Sequence, residues 1–414
     1  NDHAPEIDPN TADKISVYKG ASAIRFGLQA IGGIVILEPE EIPEDPHWHG
    51  SYQSTLQSNG LSFSGAATVR KSFDFAKIRL TAGFGKSGDK KTPDYYLTNT
   101  GNSDVSFSVI VSNHISNKWK RLFYYSYYHN KNGILRGSHI GNITDLTEAF
   151  DRKIPFYTED KFSYKIDVPR QEVNHHLAKY NTKYFISESS NINLDIGIQV
   201  NQRSEFDIRR SNRNELPALD LLLFSQYYDL YFFKQSAHLE YTAGVQYRYA
   251  NNTNVPGTGI LPLIPDYINN TGAVYLITKY KIRQIQIESG LRIEYRNYFV
   301  ARIDNNRQII KEHLNYLNWA ANLGIKKSIS KDIKTVVDVS YTNRPPEVNE
   351  LFSNGLHQGV SGIEEGNAQL KAENSFKIVN EWDGKMGHST NISASLFYNR
   401  ISNYIYLQPQ KELR

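Results

Sequence analysis

The chain has 414 residues, and its net charge of +4 is small and evenly mixed, which argues against a nucleic-acid-binding protein. It contains no cysteine, so disulfides, cysteine-based zinc sites and thiol catalysis are excluded. Tyrosine (28) and phenylalanine (19) are abundant whereas methionine occurs once, a balance that favours pleated sheet over a helical core. No stretch reaches the roughly 18 apolar residues of a membrane helix. The mean hydropathy of -0.53 is still compatible with a membrane β-barrel, in which only alternate residues face lipid.

The first element in chain order is residues 14–37, "KISVYKGASAIRFGLQAIGGIVIL". Its pattern predicts a strand, a glycine- and alanine-rich hinge and a second strand. The glycines of the hinge permit positive φ angles and close backbone approach. The acidic, proline-rich stretch "EPEEIPEDP" follows at once and predicts a linker.

Period-two alternation dominates the chain from residue 49 onward. Within 191–209, even positions such as Ile192 and Ile198 are apolar, whereas odd positions such as Asn193 and Asp195 are polar. This pattern predicts a strand with one apolar and one polar face. Such a strand would span about 60 Å, far more than the strands of soluble proteins.

The same pattern predicts about 15 antiparallel strands. They run near 49–58, 62–72, 75–86, 104–113, 118–130, 176–187, 191–209, 225–234, 237–250, 271–282, 284–299, 314–328, 333–343, 374–385 and 389–402. The connections alternate between short turns and long loops, and only the first, near 59–61, departs from this rule. The long loops lie near 87–103, 131–175, 210–224, 251–270, 300–313 and 344–373. Short turns at one rim and long loops at the other are typical of outer-membrane barrels, and a soluble β-sandwich predicts neither feature.

Two stretches of the chain resemble the TonB-dependent outer-membrane receptors. The first is similar to the end of the family's plug domain and matches at Lys19, Gly20, Ala23, Arg25, Gly27, Ala30, Gly32 and Gly33. The second is similar to a long barrel loop and its returning strand and matches at Arg344, Pro345, Pro346, Asn349, Glu350, Leu351, Gly366, Asn367, Leu370, Lys371 and Glu373. The resemblance covers essentially the whole chain. The stretches "NQRSEFDIRR", "PRQEVNHH" and "GSHIGNITDL" are similar to the Bacteroidota branch of the family.

The resemblance implies an all-β fold, a transmembrane antiparallel β-barrel of the 22-stranded class around a plug. Residues 1–38 are then expected to be the C-terminal part of the plug, 39–48 a linker, and 49–414 a partial barrel. Because only about 15 strands are predicted, the chain is expected to be a fragment that lacks the N-terminal plug part and the C-terminal strands.

The resemblance also implies a receptor for active uptake of a ferric siderophore or similar iron chelate, in the outer membrane of a Gram-negative bacterium. The long loops would be extracellular and the short turns periplasmic. The implied partners are the TonB-ExbB-ExbD energy-coupling complex (through a segment absent from this chain), a metal-chelate ligand and outer-membrane lipid, without nucleic acid or a cofactor. A zinc, haem or cobalamin receptor of the same family remains an alternative, as does an adhesin or a passive porin. No enzyme motif is present, and "GFGKSG" (83–88) has the wrong spacing for a phosphate-binding loop.

The resemblance singles out a set of residues for contact between plug and barrel, and Arg25 among them is a candidate ion pair with the barrel wall. The set is Lys19, Gly20, Arg25, Gly27, Gly32 and Gly33.

Two groups of residues are candidates for ligand contact. The first is Arg203, Glu205, Asp207 and Arg209, which alternate on the polar face of one predicted strand near a long loop. Their guanidinium groups suit an anionic chelate. The alternative is a ladder of cross-strand charge pairs, which the similar run Arg292, Glu294 and Arg296 supports. The second group is Asn354 and His357, which lie in a loop that resembles a ligand-approaching loop of the family.

Four histidines on or beside the longest loop are candidate metal ligands. They are His129, His139, His175 and His176. Neutral imidazole suits zinc, copper, iron and nickel. The alternative is that they are ordinary hydrogen-bonding loop residues. His175 and His176 are adjacent, so they point to opposite faces of a strand and cannot chelate together without a bend.

Overall fold

A computed structural model describes residues 14–28, 33–38, 42–138, 143–209, 213–304, 306–357, 362–386 and 390–410. The chain opens with β1 (Lys14–Tyr18) and β2 (Ile34–Glu38), which pair antiparallel, and a 3-10 helix lies between them at Gly20–Phe26. This matches the strand, hinge and strand that the sequence predicts.

The elements that follow are mostly long strands. In chain order they are β3 (His49–Gln57), β4 (Ser62–Ser72), β5 (Lys77–Ser87), β6 (Lys90–Lys91), β7 (Tyr96–Leu97), β8 (Asn102–Ser116), β9 (Trp119–Gly133), a 3-10 turn (Arg136–Ser138), α1 (Ile143–Asp151), β10 (Arg170–Ser187), β11 (Ser190–Phe206), β12 (Leu219–Gln235), β13 (Leu239–Asn254), β14 (Asp266–Ile282), β15 (Ile285–Ile303), β16 (Ile309–Ser328), β17 (Ile333–Arg344), α2 (Val348–Phe352), β18 (Asn354–His357), β19 (Gly362–Glu365), β20 (Glu373–Met386) and β21 (Thr390–Ser402).

Fifteen of these strands form one antiparallel sheet in which every strand pairs with its neighbours along the chain, from β3 at one edge to β21 at the other. The predicted number of strands and the all-β class are thereby confirmed. In the part of the chain that the structure describes, β3 and β21 do not pair, so the sheet is not closed. The pairs β6–β7 and β18–β19 lie in two of the long loops.

The pleat gives the sheet one apolar and one polar face. Leu230, Val245, Val274 and Ile293 lie directly opposite one another across four neighbouring strands, and each remains about half exposed. A continuous row of exposed aliphatic side chains is the pattern of a lipid-facing barrel wall. We call this side the outer face and the opposite, polar side the inner face.

Several strands continue beyond the predicted bounds toward the long loops. β13 ends at Asn254 instead of 250, and β14 begins at Asp266 instead of 271. The loop predicted near 300–313 is correspondingly reduced to the connection 304–308. Backbone pairing continues there while the outer face becomes polar, as in "NNTN" (251–254), so the alternation that reveals a strand is lost. β11 is the opposite case, because it ends at Phe206 and not at 209.

Two α-helices of the described residues lie in the long loops. α1 (nine residues) lies in the longest loop, and its Phe150 is 81% exposed. α2 (five residues) packs Val348 against Tyr298 and Val300 of the inner face. No helix in the described ranges is both long and apolar enough to span a membrane.

Candidate functional site

Residues 20–28, which we call the inner segment, lie against the inner face of the sheet. Ile24 and Leu28 form a small apolar cluster with Ala320 of β16. Ala21 and Ala23 are each only 2% exposed. These small side chains let the 3-10 helix approach the wall closely, which explains the composition "GASAIRF".

Glycines at both ends of the 3-10 helix are required by the backbone and by close contacts. Gly20 has a φ of +64°, and an added Cβ would lie 2.8 Å from Oδ2 of Asp338 on β17. Gly27 has a φ of +125°, and its added Cβ would lie 3.0 Å from Nη1 of Arg248 on β13. A side chain at either position would be strained and would displace a residue of the wall. Gly33 also has positive φ (+102°), whereas Gly32 lies outside the described residues.

Arg25 joins the inner segment to two strands of the wall. Its Nη2 lies 2.8 Å from Oδ2 of Asp195 on β11 and 2.9 Å from Oδ2 of Asp229 on β12. Its guanidinium also lies over the ring of Tyr231, 3.8 Å from the centroid. Burial lowers the pKa of Arg25, but Tyr231, Tyr275 and Asp229 outweigh that effect and raise the pKa, so the group stays charged.

The two carboxylates that Arg25 bridges lie directly opposite each other in the register of β11 and β12. Asp229 is fully buried, and it also accepts hydrogen bonds from the hydroxyls of Tyr227 (3.1 Å) and Tyr275 (2.9 Å). Like charges at directly opposite positions destabilise a sheet. The pair is therefore stable because the guanidinium of the inner segment neutralises it.

The backbone of the inner segment is held as well. The carbonyl oxygen of Arg25 accepts hydrogen bonds from Nε2 of Gln246 (2.9 Å) and Nη1 of Arg292 (3.2 Å). The carbonyl oxygen of Phe26 accepts one from Nη2 of Arg248 (2.6 Å). Five polar side chains of four strands thus converge on two consecutive residues of the inner segment.

Arg292 belongs to a buried charge ladder that runs up β15. Glu294 accepts hydrogen bonds from Arg292 (2.7 and 3.0 Å) and from Arg296 (2.9 Å). Arg296 also contacts Glu347 at the start of α2, at 2.8 Å. The ladder connects the wall beneath the inner segment to the long loop that contains α2.

The motif at 344–373 folds around this same point. Arg344 pairs with Glu350 at 3.1 Å and with Glu373 at 3.5 Å. Glu347 and Glu350 form a reciprocal capping box at the start of α2. The amide of Asn367 donates to the carbonyl oxygen of Glu350 at 2.9 Å. The motif residues therefore close a long loop onto the inner face.

The predicted charged group at 203–209 is divided by the end of β11. Arg203 and Glu205 pair with each other on the inner face, and Nε2 of Gln171 donates to Glu205 at 3.1 Å. Asp207 and Arg209 lie beyond the strand, where Nη1 of Arg209 contacts the carbonyl oxygen of Pro217 at 3.4 Å. Only the first two residues thus belong to a charge ladder on the wall.

The described histidines do not come together as metal ligands. His175 is buried on the inner face, whereas His129 and His176 lie on the outer face. His129 Nδ1 is 2.9 Å from Asn174 Oδ1, and His176 Nδ1 is 2.9 Å from the Tyr125 hydroxyl. His139 lies outside the described residues. Within the described ranges no three His, Asp or Glu side chains form a metal-binding cluster.

The remaining sequence-predicted residues lie at the margin of the site. The amide of Asn354 donates to the carbonyl oxygen of Leu263 at 3.0 Å, and His357 pairs with Gly362 in the β18–β19 hairpin. Lys19 Nζ is 3.8 Å from Glu381 on β20, and its side chain is 70% exposed.

Sequence reasoning missed the acceptors on the wall, because they are distant in the chain from the inner segment. Asp195 and Asp229 are 170 and 204 residues from Arg25. One signal was available: Asp229 is a single carboxylate within the aromatic run "YYDLYFF", on the polar face of a strand. A carboxylate in such surroundings requires a buried partner.

A cavity of about 560 Å³ lies between the inner segment and strands β15, β16, β17, β20 and β21. Its lining is mixed in charge and includes Glu288, Lys326, Asp338 and Lys377. Apolar side chains such as Leu28, Val379 and Phe397 also line it, so the cavity is a space of mixed polarity beside the inner segment.

Comparisons with known proteins give a consistent result. Residues 42–412 match the family model described as "TonB dependent receptor-like, beta-barrel". A comparison with curated proteins gave no match.

Among solved structures, the fold is similar to the copper transporter OprC (TM-score 0.73, 11% identity, 96% of this chain and 60% of that chain). It is also similar to the FrpB iron transporter from Neisseria meningitidis (0.70, 12%, 95% and 62%). A third similar structure is the hemophore receptor HasR of Serratia marcescens in complex with HasA and heme (0.69, 12%, 96% and 62%). The chain thus spans about three fifths of the length of these proteins.

Proposed function

Because the chain belongs to the TonB-dependent receptor β-barrel family, we propose that it is part of an outer-membrane receptor that imports a ferric siderophore or similar iron chelate. In this proposal, residues 1–38 are the end of a plug, 39–48 are a linker and 49–414 are barrel. The long loops are extracellular and the short turns are periplasmic. The TonB-ExbB-ExbD complex supplies the energy for uptake.

The observation that carries the proposal is the attachment of the inner segment to the wall through Arg25. A passive porin needs an unobstructed lumen, and an adhesin needs no segment held against its inner face. Here a partly buried guanidinium bridges two carboxylates on neighbouring strands, and wall side chains hold the adjacent carbonyl groups. Polar contacts of this kind favour a barrier that is held closed and then released, because each can be exchanged for water or cargo contacts.

The choice of an iron chelate is supported by the solved relatives, of which FrpB is an iron transporter and HasR binds a hemophore with heme. OprC is a copper transporter, so a complex of a metal other than iron is an alternative cargo. Zinc, haem and cobalamin are the remaining alternatives. In the described residues, the histidines give no metal cluster that would favour direct capture of a bare ion.

Energised uptake is the test of this proposal. The complete receptor would be expressed in an iron-starved Gram-negative host that lacks its own receptors, and uptake of radioactive iron would be measured from a trianionic ferric tris(catecholate) and a neutral ferric trihydroxamate. We expect uptake of at least one chelate and its loss on adding a protonophore. Entry that persists with the protonophore would contradict the proposal and favour a passive pore. Uptake of copper, zinc, haem or cobalamin instead would retain the mechanism and replace the cargo.

A further inference from the structure

Two lysines occupy directly opposite positions on the inner face, toward the short-turn rim. Lys120 of β9 pairs with Lys183 of β10, and His114 of β8 lies opposite Lys120 on its other side. Like charges that face each other across strands are destabilising. An arrangement of this kind therefore indicates a counter-charge that binds there during function.

The surroundings leave both ammonium groups available. Lys120 Nζ and Lys183 Nζ lie over the same ring, that of Phe185, at 5.6 and 5.2 Å from its centroid. Within the described parts of the chain, no carboxylate lies within salt-bridge distance of either lysine. The nearby Glu44 is 2.9 Å from Lys77.

The arginines of the inner face toward the long-loop rim behave differently. Arg203, Arg292, Arg296 and Arg344 each pair with a carboxylate of the wall or of the adjoining loop. These four arginines are thus neutralised by carboxylates of the wall or its loops, whereas Lys120 and Lys183, on the short-turn side, are not.

The same wall contains an opposed like-charge pair whose counter-charge is visible. Asp195 and Asp229 face each other, and Arg25 bridges them. Asn181 lies opposite Asp195, and Lys183 is the next inner-face residue along β10, about 7 Å further toward the short turns. The basic pair therefore lies directly beside the point where the inner segment is held.

We propose that Lys120 and Lys183 form a transient binding site for an anionic cargo, which reaches them when the inner segment leaves the wall. The site suits a chelate that carries carboxylate, catecholate or phosphate oxygens, because two ammonium groups provide charge-assisted hydrogen bonds to such groups. This inference rests on the proposed transport function and specifies the charge of its substrate.

Lysine footprinting of the purified complete receptor carrying Arg25→Met, in which the inner segment is expected to leave the wall, tests the site. Acetylation rates of individual lysines would be measured by mass spectrometry without a probe, with pyrophosphate, with ferric tris(catecholate) and with neutral ferric trihydroxamate. We expect the two anionic probes to slow acetylation of Lys120 and Lys183 several-fold and the neutral chelate to have no effect. Lys331, exposed in a short turn, is the internal control and is expected to be unaffected.

Variants separate binding from general shielding. Lys183→Gln is expected to abolish the protection of Lys120, whereas Lys183→Arg is expected to retain it. The proposal would be overturned if both lysines were protected no more than Lys331, if the neutral chelate protected them equally, or if they were unreactive without any probe. Protection in a receptor that shows no energised uptake would leave the anion site standing and remove the transport function. Energised uptake without protection would leave the transport function standing and remove the anion site.

Discussion

Replacing Arg25 with methionine is expected to release the inner segment from the wall. Methionine keeps much of the length of the side chain but leaves Asp195 and the fully buried Asp229 without their counter-charge. Removing one partner of a buried ion pair costs about 3–5 kcal/mol, because the remaining charge is desolvated and unpaired. Hydrogen exchange of residues 20–28 in the complete receptor should become faster by two orders of magnitude or more.

Two further variants test the cause of this effect. Lys19→Met, one residue before the inner segment, is the matched control. The contact of Lys19 with Glu381 is long and exposed, so this substitution should change the free energy by less than about 1 kcal/mol. Asp229→Asn in the Arg25→Met background should restore part of the lost protection by removing the buried charge. Unchanged exchange in Arg25→Met would show that the segment is held by its apolar contacts and by the hydrogen bonds to its carbonyl groups, without a contribution from the ion pair.

Replacing Glu294 with glutamine is expected to destabilise the wall itself. Glu294 is fully buried and is the only carboxylate within reach of Arg292 among the described ion pairs. Its loss leaves two buried guanidinium groups in proximity, so the cost should again be about 3–5 kcal/mol. Thermal unfolding of the complete barrel in detergent, followed by its change in electrophoretic mobility, measures this loss.

The ion pair of Arg302 and Glu312 provides the matched control. It lies near the long-loop rim on the neighbouring strands β15 and β16, with both side chains about one third exposed. Glu312→Gln should therefore cost no more than about 1 kcal/mol. Equal destabilisation by Glu294→Gln and Glu312→Gln would contradict the view that the burial of an ion pair determines the cost of breaking it.

The strands could be predicted because lipid imposes a strict period of two on the outer face. Leu230, Val245, Val274 and Ile293 each lie on a different central strand, at one of its outward-facing apolar positions. The alternation of such positions with polar ones identifies each strand. Beyond the lipid this constraint ends, and the true ends of β13 and β14 were consequently missed. The end of β11 was missed for the opposite reason: alternation continues through Ile208, although the backbone no longer pairs there.

Of the contact between the inner segment and the wall, only the part contributed by the inner segment could be predicted from the sequence. The small residues and glycines around Arg25 mark a segment that approaches another surface closely, and a lone arginine among them requires a counter-charge. Which carboxylates provide it depends on the register of β11 and β12, which places Asp195 opposite Asp229. The structure does not bring the described candidate histidines together: His175 lies on the inner face, whereas His129 and His176 lie on the outer face and contact Asn174 and Tyr125.

A reversible cross-link tests most directly whether the inner segment must leave the wall during transport. An added Cβ at Gly290 would lie 3.3 Å from Cα of Ala21, so cysteines at these two positions are within disulfide reach. This sequence has no other cysteine. We expect the oxidised Ala21→Cys, Gly290→Cys receptor to bind its chelate at the cell surface without importing it, and to import it after reduction. Import by the cross-linked receptor at the unmodified rate would contradict the central claim.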